Sequence, residues 1–361
     1  MENMLHSMNS GQAKVVYILP LYDENTDTHL YYNYELIRYA AVRLDLFVVI
    51  ERAVSNPNLN APFRVLKHER GLGRLLELYI ILRKLRRQGY DNFYVHYSQY
   101  GALAAWMAGG KIYYWNRGMP WLFKRGFWAE RIFRFILKHS MLVTGPELLA
   151  KEYIKYYGVK RYAILSNWVD VERLRPREDK ASTKSWFALD SDKKIVLFVH
   201  HLSERKGADL IAKIAARMND PKILFFVIGD GPYRAKLEAE AKNLPIRLFG
   251  AIPNKDMTIY YQAADVFLMP SREEGSPHVI LDALAAGTPV VASDVGGTRE
   301  LIPPNFKEFL CTPENVACFQ EKIKRILSDA PLYEKFRSEG FDFVKNFDRN
   351  SGVDEFLKLF G

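Results

Sequence analysis

The chain has 361 residues, 48% hydrophobic and 26% charged, which suits two globular domains and argues against a disordered or fibrous protein. No run of about 18 apolar residues occurs, which argues against a spanning helix, and the opening "MENMLHSMNSGQAK" reads as a frayed polar tail, not as a secretory signal. The formal charge of +9 sits in the first half, where residues 1–180 hold 27 Lys+Arg against 17 Asp+Glu and the remainder holds 24 against 25, so an anionic partner or a solvated basic face is expected there.

Strand-like and helix-like runs alternate along the chain. "KVVYILPL" (14–21) predicts a first strand, followed by the polar loop "YDENTDTH" and the helical "LYYNYELIRYAAVR". "DLFVVIE" (45–51), "NFYVHYS" (92–98) and "KIYYWNRG" (111–118) predict further strands, with a basic amphipathic helix at 74–88 and a small helix at "ALAAWMAG" between them. Residues 161–186 break the rhythm with a polar, Pro-containing stretch that suits a linker. The pattern then restarts with strands at 193–202, 223–231, "IRLFGAI", 265–271 and 289–294, each separated by a helical run, and the tail reads as helices. Alternation of this kind predicts parallel sheets wrapped by helices in two successive doubly wound units, with ligands at the carboxyl ends of strands and in the cleft between the units. Cys311 and Cys318 are too few for a disulfide framework, which suits a reducing, cytoplasmic compartment.

Three loops carry chemistry. In "EEGSPHVILDALAAGTPVV" (273–291), Ser276 suits a helix N-cap and Pro277 the first helical position, and Gly287 stops the helix. A helix start offers unpaired N–H groups and partial positive charge to a phosphate. Glu274 just ahead of it and Asp282 inside it could hold sugar and ribose hydroxyls; alternatively Glu274 merely favours the helix dipole and Asp282 faces water. In "HHLSERKGADL" (200–210), Lys206 could neutralise a diphosphate and Gly207 admit a close backbone. "GDGP" (229–232), beginning with Gly229, is a third strand-end loop and reads first as a tight turn.

The joint order "SNWVDVERLRP", "HHLSERKG", "VIGDGPYRAKLE", "LFGAIP" and "VFLMPSREEGSPHVILDALAAGTPVVASDVGGTREL", over residues 162–305, closely resembles the C-terminal half of retaining glycosyltransferases of family 4. The resemblance implies an α/β protein of GT-B fold, with two Rossmann-like doubly wound domains facing a central cleft. The domains would be 1–172, basic and acceptor-binding, and 173–340, nucleotide-sugar-binding, with 341–361 a helix returning to the first. It implies that Glu274 contacts the donor sugar and Asp282 the ribose, where the family usually has Glu. It also implies that the segment Gly275, Ser276, Pro277, His278, Val279 meets the diphosphate, with Gly207 and Gly229 in neighbouring loops, and that Ile252 and Pro253 pack the base. Lys206 keeps one member of the family's basic pair; the other, usually Arg, is His201 here.

On the acceptor side the resemblance points to His29, Asn116 and Arg117, Arg117-Gly118 standing where the family has His-Gly. Negative charge growing on the leaving phosphate would be stabilised by Lys206, with His201 or Arg117 and the helix dipole, without a metal or other cofactor. Catalysis is thus assigned to Glu274, Lys206 and Arg117. The expected partners are a nucleotide-sugar donor, GDP-mannose first and UDP-glucose or UDP-N-acetylglucosamine behind it, and a lipid-linked or glycan acceptor. An epimerase or hydrolase, and a catalytically silent binding subunit, are the rivals.

The stretch 119–143 interleaves Trp121, Phe123, Phe127 and Trp128 with Lys124, Arg125 and Arg131, a mixture suited to an anionic bilayer surface if the aromatics do not instead pack on the sheet. Peripheral attachment to the cytoplasmic face of a membrane is the resulting expectation. No nucleic-acid motif is present.

Overall fold

Short apolar runs rich in Val, Ile and Phe become parallel strands here because helices cover both of their faces, so neither face needs to alternate with polar residues. The computed structural model describes residues 12–361; the expected N-terminal tail falls largely outside the described residues. The chain divides into two compact units, one running to Ser166 and including Gly352–Gly361, the other Asn167–Ser351.

The first unit holds β1 (Lys14–Leu19), β2 (Asp45–Ile50), β3 (Phe63–Val65), β4 (Asn92–His96), β5 (Lys111–Trp115), β6 (Met141–Thr144) and β7 (Tyr162–Ile164), in the order β3-β2-β1-β4-β5-β6-β7. The second holds β8 (Lys194–Val199), β9 (Ile223–Ile228), β10 (Ile246–Gly250), β11 (Val266–Met269), β12 (Val290–Ser293) and β13 (Leu310–Cys311), in the order β10-β9-β8-β11-β12-β13. Neighbouring strands pair in parallel throughout, for example Val16 with Phe47 and Phe93, and Leu197 with Phe226 and Phe267. Both units are therefore doubly wound and Rossmann-like, the fold class expected. In each sheet the strand order reverses once, between β1 and β4 and between β8 and β11, and such reversal points are where α/β sheets bind ligands.

The tail helix Arg349–Lys358 ends in the first unit, where Phe356 packs on Tyr94 at 4.9 Å and Phe360 on Tyr113 at 4.9 Å. Glu355 accepts the Ser166 N–H at 3.1 Å.

Three local expectations change. The stretch read as a linker forms two short helices of the second unit, Val171–Leu174 and Lys180–Ser185, because Asp170 and Asp179 cap them through the Arg173 and Ser182 N–H groups. Lys184 is buried there against Asp265 at 3.0 Å, a pairing 81 residues apart that local composition does not announce. Cys311 and Cys318 are bonded to each other, a pairing that a count of two did not signal. The segment 119–143, taken above as one stretch, divides into a short turn, Pro120–Leu122, the helix Phe127–His139, and the start of β6 at Met141.

Candidate active site

β8 and β11 lie side by side at the reversal point of the second sheet, and the chain leaving each delivers one partner of a buried ion pair. Glu274, in the loop after β11, is 4% exposed, and Lys206, in the turn Glu204–Lys206 after β8, is 6% exposed. Lys206 Nζ lies 2.8 Å from Glu274 Oε2 and also donates to the Glu273 carbonyl at 3.2 Å. His200, the first residue after β8, places Nε2 3.0 Å from Glu274 Oε1. The His201 N–H donates to His200 Nδ1 at 2.9 Å, so the imidazole proton resides on Nε2 and is donated to the carboxylate.

Burial by itself would raise the Glu274 carboxyl, but His200 and Lys206 outweigh it and hold the group well below the usual carboxylate range. Burial lowers His200 against the pull of Glu274, and lowers Lys206 likewise. The ensemble is a carboxylate, an ammonium and a neutral imidazole packed into one recess.

Local sequence explains the convergence. Gly207 has φ +74°, and a Cβ there would overlap the Pro270 carbonyl, so glycine closes the Lys206 turn against the strand β11 exit. Gly296, in the loop after β12, has φ +51°, and a Cβ there would overlap the Glu274 carbonyl oxygen. Arg272 braces both loops: its N–H donates to the Arg205 carbonyl at 2.9 Å, and its guanidinium makes a bidentate pair with Asp209 at 2.6 and 2.8 Å.

The helix after Glu274 runs His278–Ala285, with Pro277 at its cap position. Ser276 was the expected cap. Its hydroxyl and carbonyl instead accept the Asn167 side-chain amide at 2.9 and 2.7 Å, which takes it away from the helix. Val279 packs on the core of the unit, and Gly275 accepts the Gly297 N–H at 3.1 Å. Asp282 is buried, with its carboxylate accepting the Tyr261 hydroxyl, and does not face water. His201, expected beside the diphosphate, is exposed next to Gly231, and it is His200 that bonds to Glu274. Gly229 ends β9 with its N–H on the Gly250 carbonyl at 2.8 Å, and Ile252 and Pro253 are half-buried just after β10.

His200, Gly296, Asn167 and Tyr261 escaped the sequence reading. A His-His pair leaving a strand was a visible signal for the first. The other three depend on contacts far apart in the chain.

At the reversal point of the first sheet, His29 follows the loop after β1, His96 ends β4 and Trp115 ends β5. The His96 and Trp115 rings stack at 3.9 Å, and His29 stacks on them at 5.6 and 5.9 Å. Arg117 lies over Trp115 at 5.1 Å; its N–H donates to the Tyr97 hydroxyl at 3.3 Å and its Nη2 to the Leu165 carbonyl. Asn116 is buried and accepts the Gly118 N–H at 2.9 Å. Burial pushes His96 well below its usual value, with His29 and Arg117 adding to the effect.

Of the membrane candidates, Trp121 stacks on Tyr156 at 5.2 Å and Arg125 covers Phe133 at 4.0 Å, so both face protein. Phe123, Phe127 and Trp128 are 57%, 67% and 74% exposed, and Lys124 and Arg131 are exposed beside them. No helix among the described residues is long and apolar enough to cross a membrane. Among them, too, no three His, Cys, Asp or Glu side chains are grouped so as to hold a metal ion.

Two doubly wound units with these strand orders define the GT-B class of fold, and solved glycosyltransferases of that class share it. The Anabaena protein HepE, in complex with UDP and glucose, superposes with a TM-score of 0.79 at 17% identity, covering 96% of this chain and 99% of that one. The family Glycosyl transferases group 1 matches residues 179–343, the segment that contains the buried pair. A sulfoquinovosyl transferase of Arabidopsis thaliana is 28% identical over 235 residues, covering 63% of this chain and 45% of the relative. A GDP-mannose-dependent alpha-mannosyltransferase of Mycobacterium tuberculosis is 31% identical over 189 residues, covering 52% and 47%. The chain spans about half the length of the curated relatives it matches.

The neutral, buried state of His96 has a measurable consequence. The unfolded chain takes up a proton below the ordinary imidazole value of about 6.5, whereas the native protein does not, so stability falls as pH drops through that value. Denaturation midpoints measured between about pH 7.5 and 5 should decline, and His96→Phe should remove up to one proton's worth of slope, about 1.4 kcal/mol per pH unit. An unchanged slope in the variant would contradict a neutral His96.

Proposed function

We propose that the protein is a retaining glycosyltransferase that moves a sugar from a nucleotide-sugar donor to a lipid-linked or glycan acceptor, without a metal ion. The observation that carries this reading is the buried Glu274–Lys206 pair with His200, set at the sheet's reversal point just ahead of the helix His278–Ala285. The first N–H groups of a helix have no partners within it and suit a diphosphate.

In this reading Lys206 and the helix start carry the charge that grows on the leaving diphosphate, while Glu274 and His200 orient the sugar hydroxyls. Asp282, fixed by Tyr261, holds the ribose, and Ile252 and Pro253 flank the base. Lys206 takes on the phosphate only as its hold on Glu274 loosens, so donor binding and relief of a desolvated ion pair are coupled. Arg117 and His29 are assigned to the acceptor. GDP-mannose is the favoured donor, supported by the relative named for it; UDP-glucose stands second, supported by the fold neighbour solved with UDP and glucose. A silent binding subunit would keep the recess but lack turnover.

The proposed location is the cytoplasmic face of a membrane, with Phe123, Phe127, Trp128, Lys124 and Arg131 at the bilayer surface. The Cys311–Cys318 bond suits an oxidising compartment instead.

Release of nucleoside diphosphate from a panel of GDP-, UDP-, ADP- and dTDP-sugars should single out one donor. Glu274→Gln and Lys206→Ala should each lower that rate by about 100-fold or more, as for loss of a preorganised charge in a closed site. Turnover unaffected by both changes, or no turnover with intact donor binding, would overturn the catalytic reading. Flotation with vesicles containing anionic lipid should carry the protein, less so at high salt, and the double change Phe127→Ala, Trp128→Ala should abolish it. Failure of the wild-type chain to float at low salt would overturn the attachment.

A further inference from the structure

The guanidinium of Arg117 stands at the reversal point of the first sheet with no carboxylate in direct contact; Glu355 acts on it only at longer range. Among the described residues it makes no ion pair, and its bonds go to the Leu165 carbonyl and, through the backbone, to the Tyr97 hydroxyl. Its neighbours are uncharged rings: Trp115 beneath it, with Tyr97 edge-on to Trp115 at 4.7 Å, and the stacked pair His29 and His96. Two carboxylates of this unit make their direct contacts elsewhere. Glu51, just after β2, pairs with Arg74 and accepts the Ser98 hydroxyl, and Glu355 accepts the Ser166 N–H.

Two further observations mark the place as built. Tyr97, a bulky residue, holds φ at +56°, a backbone conformation that non-glycine residues rarely adopt and that concentrates at ligand sites. His96 is fully buried, and neither of its ring nitrogens has a protein partner. His29 is exposed on top of the stack, and Arg117 and Tyr97 are partly exposed beside it, so a molecule meeting Arg117 also meets flat ring faces. Rings of this kind stack on the C–H faces of a sugar, and a guanidinium with no carboxylate in contact can take a carboxylate or phosphate in bidentate fashion.

We propose that Arg117, His29 and Tyr97 form a subsite for a sugar that carries an anionic substituent, a carboxylate or a phosphate. The anion supplies the direct bidentate partner that Arg117 lacks, and the outer rings bear on the sugar face. This rests on the glycosyltransferase reading for its role as acceptor recognition, but its test is separate.

Calorimetric titration of the full chain with methyl glucuronide, glucose 6-phosphate, methyl glucoside and inorganic phosphate reads the subsite directly. One of the two charged sugars should bind at least about tenfold more tightly than methyl glucoside, and which one it is tells carboxylate from phosphate. Arg117→Gln should abolish that preference, and Arg117→Lys, which keeps the charge but not the fork, should retain part of it. Lys206→Ala, in the other unit, should leave it intact even as nucleotide-sugar turnover fails, so the two readings fall separately. Charged and neutral sugars binding alike, or a preference that survives Arg117→Gln, would overturn the proposal. Inorganic phosphate binding as tightly as the phosphosugar would reduce the cluster to a bare anion site and overturn it as well.

Discussion

A carboxylate and an ammonium buried against each other at the end of β8 and β11 set the character of the second unit. Glu274 and Lys206 come from loops far apart in sequence, and they meet 2.8 Å apart with almost no solvent around them. Removing one partner of such a pair leaves an uncompensated charge, at a cost of about 3–5 kcal/mol, so the pair locks the two loops together. The glycines follow from this. Gly207 and Gly296 leave room for the carbonyls of Pro270 and Glu274 to approach, and any Cβ there would push the loops apart. Arg272 then ties the Glu274 loop to the segment after the Lys206 turn through Asp209, and to the loop after β13 through Glu314.

The same topological feature organises the first unit with opposite electrostatics. Where the second sheet's reversal point holds a matched pair, that of the first holds one guanidinium among neutral rings. His96 is kept uncharged by burial, and Tyr17 and Tyr94, also buried there, are pushed well above the ordinary phenol value. One site thus neutralises itself by direct contact, while in the other the guanidinium meets no carboxylate directly and feels Glu355 only at longer range. Phe356 packs under this cluster against Tyr17 and Tyr94, so the end of the chain supports it.

Much of the architecture could be read in advance because parallel strands buried on both faces are continuous apolar runs, and the runs at β1, β2, β4, β8, β9 and β11 fall close to where they were expected. Short edge strands such as β3 and β13 offer too few residues for a pattern. Glu274, Lys206 and Gly207 were legible because each sits at a strand-to-helix turn, where polar residues have little structural reason to be buried. The part played by His200 was not legible, because which of two adjacent side chains turns inward as a strand ends is decided by a carboxylate 74 residues away. Ser276 misled for the same kind of reason: it has the chemistry of a cap, but Asn167, 109 residues away, claims it. In 119–143 periodicity could not separate Phe133, sealed in the core, from Trp128, turned outward.

The decisive measurement is a structure of the chain with its preferred nucleotide sugar bound. The diphosphate should lie against the first turn of the helix His278–Ala285, within hydrogen-bond reach of Lys206 Nζ, with Glu274 on a sugar hydroxyl. A diphosphate lodged elsewhere, with the Glu274–Lys206 contact undisturbed, would contradict the account.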